Sequence, residues 1–174
     1  MSTTTDARAA QWHVLWTRSH CEQLVHDQLV AKGFHVLLPR TKVWSRQRGV
    51  RRVARVPLFP AYLFLRHAMD KQSYVEVRKA RGLVEILGGP WDRLLAVPEP
   101  EVAAIEKVHH AQVPGLPHPY LRQGQRVRIT AGPLADVEGI LVRGNANKGL
   151  LLLSVHLLHR SIAVEIDCTQ AVPV

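Results

Sequence analysis

The sequence predicts an α+β chain in two parts: a split βαβ sandwich over residues 11–111 and a small β-barrel over residues 121–174. Three observations predict it. Between residues 11 and 111 the apolar pattern switches repeatedly between strand and helix periods, giving the order β-α-β-β-β-α-β-α. A sheet with helices packed on one face buries such a set economically. Residues 113–119 then place three prolines and one glycine in seven positions. Such a stretch cannot continue a helix, lacks donors for a sheet and favours extended backbone, so residues 112–120 are expected to form a linker. Beyond it, short apolar runs recur roughly every 8–12 residues, the spacing of a small barrel.

Each element has its own signal. Residues 12–17, Trp-His-Val-Leu-Trp-Thr, alternate and are rich in aromatic and β-branched side chains, as in a strand. Ser19 and Glu22 have capping-box spacing; Cys21, Leu24, Val25 and Leu29 share one helical face, and Gly33 is a helix stop. Residues 34–38 form the next strand. Residues 42–44 and 53–56 flank a hairpin tip at Gln47-Arg48-Gly49-Val50. Residues 62–66 are almost continuously apolar, as in a central strand buried on both faces. Asp70 caps a helix running to about Lys79, residues 83–87 are a strand, and Gly88-Gly89-Pro90 ends it. Residues 98–110 give a third helix with Val102, Ile105 and Val108 inward and a proline tolerated in the first turn. The barrel strands are expected at 126–130, 137–143, 150–156 and 161–166, with Asn145-Ala146-Asn147-Lys148-Gly149 as a turn.

Composition bounds the function. Hydrophobic residues make up 47% of the chain, enough for a packed core. No apolar run reaches the roughly 18 residues of a membrane span. Residues 1–10 are polar, without an apolar signal core, so the expectation is a frayed tail on a cytoplasmic protein. Cys21 and Cys168 lie too far apart in sequence to suggest a disulfide framework or a paired-thiol zinc site. The net charge is +9, and seven basic residues (Arg40, Lys42, Arg46, Arg48, Arg51, Arg52, Arg55) fall between residues 40 and 56 with no acid among them. A one-signed stretch of this kind attracts a polyanion, either a nucleic acid or an acidic protein surface; the plainer reading is a solvated loop.

Catalytic chemistry is not expected. His109-His110, His118, His156 and His159 are scattered over a helix end, the linker and a hairpin, without an i,i+4 pair, so no metal site is expected. Cys21 has His20 and Glu22 beside it in sequence only, because neighbouring side chains diverge on a helix; a buried structural thiol is the better reading. No Gly-Lys-Ser/Thr phosphate loop and no paired-carboxylate motif occurs. The chain is expected to be a non-enzyme without a cofactor.

Two longer stretches carry a family resemblance. Pro57-Leu58-Phe59-Pro60-Ala61-Tyr62-Leu63-Phe64-Leu65 sets an aromatic strand after a proline corner, and residues 124–139 (GQRVRITAGPLADVEG) form a strand, a Gly-Pro turn and a second strand. With Trp12-His13-Val14-Leu15-Trp16, the Arg81-Gly82-Leu83-Val84 step, the helix start at Val97-Pro98 and residues 157–166, their order and spacing resemble the NusG family of transcription elongation factors. The likeness covers about residues 11–173. It implies an NGN domain over 11–111 and an SH3-like KOW barrel over 121–174. It also implies a monomeric factor that rides on RNA polymerase, bridges its cleft and suppresses pausing or termination.

Carried onto this chain, the resemblance makes Trp16, Phe59, Tyr62 and Phe64, with Leu65 behind them, the pocket that grips the clamp helices of the largest polymerase subunit. Aromatic anchors in such pockets are worth about 2 kcal/mol or more each. Leu63 and Leu65 are expected in the core, with Tyr62 and Phe64 on the opposite face. The chain resembles the specialised RfaH-like or UpxY-like paralogues; relatives of the RfaH type also contact the non-template DNA strand, and the matching cations are Arg18 and Arg81. The His-Thr-Thr element of RfaH is replaced by Ser73-Tyr74-Val75. In the barrel, Gly124, Gly132-Pro133 and Gly139 keep the family's turn logic and favour a barrel over a helical, autoinhibited state. The loop that recruits a small-subunit ribosomal protein or Rho is Leu157-Leu158-His159-Arg160, with Leu158 where housekeeping members carry an aromatic residue. These departures and the basic 40–56 stretch point to a specialised antiterminator for a long operon. The alternative is a KOW-type RNA-binding or ribosome-associated protein, which explains the barrel and the charge but not the aromatic strand.

Overall fold

A computed structural model describes residues 9–111, 115–118, 124–143, 148–167 and 170–174. Its elements in chain order begin with β1 (Gln11–Thr17), α1 (Glu22–Ala31), β2 (His35–Leu37), β3 (Arg40–Gln47), β4 (Val50–Pro57) and β5 (Tyr62–His67). They continue with α2 (Lys71–Arg78), β6 (Leu83–Ile86), α3 (Glu99–Ala111), β7 (Gly115–His118) and β8 (Gln125–Ile129). The chain ends with β9 (Glu138–Arg143), β10 (Lys148–Val155), a 3-10 turn (His156–Leu158), β11 (Arg160–Asp167) and β12 (Ala171–Pro173). Residues 1–8 of the expected tail over 1–10, both ends of the linker, the Asn145–Asn147 part of the expected turn and Cys168 lie outside the described residues.

The chain divides into two compact units, residues 1–38 with 60–99 and residues 39–59 with 100–174. The hairpin β3–β4 and helix α3 thus group with the second unit.

The first unit is a four-stranded antiparallel sheet in the order β2-β5-β1-β6. Since β5 separates β1 from β2, the β1–α1–β2 crossover is the expected split βαβ unit. One face carries Leu15, Leu63, Leu65 and Ile86, which pack with Val25 and Leu29 of α1 and Val77 of α2. The opposite face is apolar too, since Trp12, Val14, Leu37 and Phe64 are buried. A central strand closed on both faces accounts for the unbroken apolar run at 63–65.

Local chemistry explains the helix ends. The Asp70 carboxylate accepts the Ser73 N–H at 2.7 Å and caps α2 as expected. That bond holds the Asp70 pKa below its ordinary value. The first helix departs from expectation. Its N-cap is Cys21, without a side-chain capping bond, and the Ser19–Glu22 box does not form. Glu22, Val25 and Leu29 face inward, whereas Leu24 is 48% exposed. The helix is rotated so that Glu22, one position beyond Cys21, turns inward to a backbone partner described below.

In the second unit β3 and β4 pair only with each other, as a two-stranded ribbon. Val102, Ile105 and Val108 of α3 are buried, matching the helical periodicity. The C-terminal strands form a six-stranded sheet in the order β12-β8-β9-β10-β11-β7. A Cβ at Gly139 would come within 2.5 Å of the Leu152 carbonyl oxygen, so the approach of β9 to β10 demands glycine. One linker expectation is corrected: Gly115–His118 is a strand, paired antiparallel with β11. It lies at the sheet edge, where Pro117 can lack a donor without breaking a ladder.

Candidate functional site

The expected pocket residues fall at different depths. Trp16 of β1 lies directly opposite Tyr62 of β5 and, on its other side, opposite Glu85 of β6. Trp16 is 40% exposed, Tyr62 is half-buried and Glu85 is exposed. Farther along the same face, Phe64 pairs with Val14 and Leu37 and is wholly buried. Phe59, in the second unit, is buried as well. The expectation that Tyr62 and Phe64 would present a common outward face is therefore corrected at Phe64. It occupies the closed middle of the sheet face, whereas the Trp16–Tyr62 end is open.

The corner before β5 is clamped from two directions. Ala61 adopts a positive φ of 72°, a region L-residues enter at a cost. Its carbonyl accepts the Thr17 N–H at 2.8 Å, and its own N–H donates to the Glu22 carboxylate at 2.8 Å. Glu22 is itself buried, so the carboxylate is committed to this backbone bond. These two bonds fix the start of β5, and hence Tyr62, against the end of β1, and hence Trp16.

The cations Arg18 and Arg81 are brought to the same end of the sheet. The Arg18 N–H donates to the Gly82 carbonyl at 2.8 Å. Gln28 of α1 clasps Arg81 by its backbone, donating to the Arg81 carbonyl and accepting the Arg81 N–H, each at 3.0 Å. Gly82 has φ +91°, and a Cβ there would meet the Cys21 Cβ at 2.7 Å. Both arginines are exposed and have no ion-pair partner among the described residues. The turn after β1 and the turn before β6 thus hold two cations beside the Trp16–Tyr62 edge.

In the C-terminal sheet the expected partner loop is the tight connection from β10 to β11. Leu157 and Leu158 are half-buried, and His159 takes a left-handed φ of 49° with its N–H on the His156 carbonyl. Arg160 begins β11 and is exposed. His156 forms an ion-pair contact with Glu101 of α3. Among the described residues no three His, Cys, Asp or Glu side chains are grouped so as to hold a metal ion. No described helix is long and apolar enough to cross a membrane.

Glu22, Gln28 and Gly82 were not singled out by sequence reasoning as parts of this site. The signal available for Gly82 was only its place in the Arg81-Gly82-Leu83-Val84 step. Glu22 offered a misleading one, the capping-box spacing.

Residues 10–106 match the family model described as NusG, transcription termination factor nusG. This chain belongs to the NusG family. A relative from Buchnera aphidicola, named transcription termination/antitermination protein NusG, is 29% identical over 170 residues, covering 92% of this chain and 94% of the relative. The protein of the same name from Yersinia pestis is 31% identical over 148 residues, covering 84% and 81%. Among solved structures, Thermotoga maritima NusG superposes with a TM-score of 0.58 at 17% identity, over 95% of this chain and 97% of that one. The fold is therefore that of an NGN domain followed by a strand-rich KOW domain, and the role is that of a transcription factor.

Proposed function

We propose that this chain is an elongation and antitermination factor that binds RNA polymerase through the open Trp16–Tyr62 edge, bridges the polymerase cleft and suppresses pausing or termination. The observation that carries the reading is a large aromatic side chain left 40% exposed at the end of a sheet face whose middle, at Val14 and Phe64, is closed. Exposed aromatics at the rim of an apolar face are the residue type that dominates protein interfaces. In this reading Phe64 forms the buried support behind the contact, and the partner is the clamp-helix pair of the largest subunit.

Arg18 and Arg81, held by backbone bonds at the same end, meet the phosphates of the non-template strand. The Leu157-Leu158 turn with Arg160 recruits a further partner, a small-subunit ribosomal protein or Rho. The protein acts as a cytoplasmic monomer, and the basic 40–56 stretch and Leu158 favour a specialised paralogue serving one long operon.

The test is transcription by purified polymerase on a pause-containing template, with and without the protein. Faster passage through pauses supports the reading; unchanged dwell times at saturating protein overturn it. Capture of ribosomal subunits or free RNA in preference to polymerase would favour the ribosome-associated alternative instead.

A further inference from the structure

We propose that the β3–β4 ribbon is an arm that grips the backbone of duplex DNA, independently of the contacts to polymerase. Its geometry is that of a cationic blade. The eight-residue strands pair in register from Arg40↔Pro57 to Gln47↔Val50, giving a ribbon about 26 Å long at the usual rise per residue. Residues directly opposite share a face, so Lys42 and Arg55 stand side by side, with Arg51 farther out. All three are exposed. The other face is the covered one at its base, where Thr41 is buried and Val43, Ala54 and Val56 are half-buried. At the tip, Arg48 and Gly49 take left-handed φ values of 51° and 79°, the two-residue turn that suits a twisted hairpin, and Arg48 is exposed there.

The charges on this arm are handled differently from those elsewhere. Arg126 and Arg128 share Glu138, at 3.1 and 2.5 Å. Lys32 and Lys79 share Glu76, at 3.4 and 2.6 Å. Lys42, Arg48, Arg52 and Arg55 have no acidic partner among the described residues, and residues 40–56 contain no acid. Cations stacked along a ribbon repel one another, so the unbound arm carries an electrostatic cost that a polyanion removes.

The choice of polyanion follows from shape. A two-stranded ribbon fits the major groove of B-form DNA, which is about 12 Å wide. The deep, narrow major groove of duplex RNA does not admit it. The cations Lys42, Arg51 and Arg55 follow one another along one face of a paired, extended ribbon, a spacing suited to the phosphate rows that flank a groove. Repeated cations with no acid among residues 40–56 are the pattern of phosphate binding.

The experiment is fluorescence anisotropy of a labelled 20-base-pair duplex of mixed sequence titrated with the full chain, without polymerase, from 50 to 300 mM KCl. The variant is Lys42→Ala/Arg48→Ala/Arg55→Ala, with folding checked by circular dichroism. Losing three phosphate contacts flattens the log–log salt slope by about 2.7 and weakens binding at 100 mM KCl at least thirtyfold. Arg66→Ala/Lys71→Ala/Arg93→Ala, which removes the same charge elsewhere, leaves the slope within about 0.5 of the parent. If the triple arm variant fails to fold, Arg48→Ala alone flattens the slope by about 0.9. A parental slope in the folded arm variant overturns the proposal, as does stronger competition from an RNA hairpin, a single strand or polyglutamate than from unlabelled duplex. No polymerase is present, so the outcome is separate from that of the transcription assay.

Discussion

The Glu22 carboxylate holds the Ala61 N–H at 2.8 Å across 39 residues of sequence. This bond ties the first turn of α1 to the strained corner that launches β5. Removing the acceptor leaves a backbone donor without a partner beside a positive-φ residue, a loss worth about 1–3 kcal/mol. Glu22→Ala should lower stability by that amount in urea denaturation, and Glu22→Gln, which keeps a side-chain carbonyl, should recover most of it. Equal losses in both variants would show that packing rather than the bond carries the effect.

Burial separates the aromatic residues by role. Phe64 is wholly enclosed and Trp16 is 40% exposed. Phe64→Ala should cost about 3–5 kcal/mol of stability, as core aromatic truncations do. Trp16→Ala and Tyr62→Ala should each cost only about 1–2 kcal/mol, yet weaken binding to purified polymerase at least tenfold. Chemical denaturation paired with polymerase-binding titrations checks both halves. Parental affinity in folded Trp16→Ala and Tyr62→Ala would remove the docking assignment.

Gly82 couples the two cationic turns. An added methyl there meets Cys21 Cβ at 2.7 Å and adopts an unfavourable φ of +91°. Gly82→Ala should therefore cost about 2–4 kcal/mol and displace Arg81 relative to Arg18. Arg18→Ala/Arg81→Ala should instead keep parental stability. Its deficit should appear only in binding of the polymerase elongation complex, with a salt dependence flatter by about 1.8 for two lost phosphate contacts. An unchanged salt slope would exclude these arginines from the DNA contact.

What the sequence made legible was local or periodic. The Asp70 cap rests on a bond three residues long, α3 on a repeat with Val102, Ile105 and Val108, and the hairpin tip on the Arg48-Gly49 pair. Each signal lies within one element. The misses involve partners that only the tertiary fold supplies. Glu22 has the spacing of a capping box, but its buried position gives it a backbone partner 39 residues away. Alternation puts Phe64 opposite Leu63 and Leu65 without saying whether its face is covered. The linker's prolines argue against a strand in general, yet Gly115–His118 finds a place at a sheet edge where a missing donor does no harm.

His109 makes the second unit sensitive to acid at the base of the arm. It is part-buried near the end of α3, and its Nδ1 accepts the Arg40 N–H at 3.0 Å. That nitrogen must be unprotonated, so a neutral ring carries its proton on Nε2. Burial pushes the His109 pKa below the ordinary 6.5, and the nearby positive charges of His110, Arg55 and Arg40 act in the same direction. The unfolded chain therefore binds this proton more readily than the folded one, and stability falls as pH falls. The contribution of His109 is fully present above about pH 6.5 and is lost as the pH drops through the depressed folded value. Melting temperatures of the parent and of His109→Gln, whose side-chain carbonyl can still accept from Arg40, should converge between pH 7.5 and 5, with the parent declining more steeply. Parallel declines would place the acid sensitivity elsewhere, because the other titrating groups are common to both proteins.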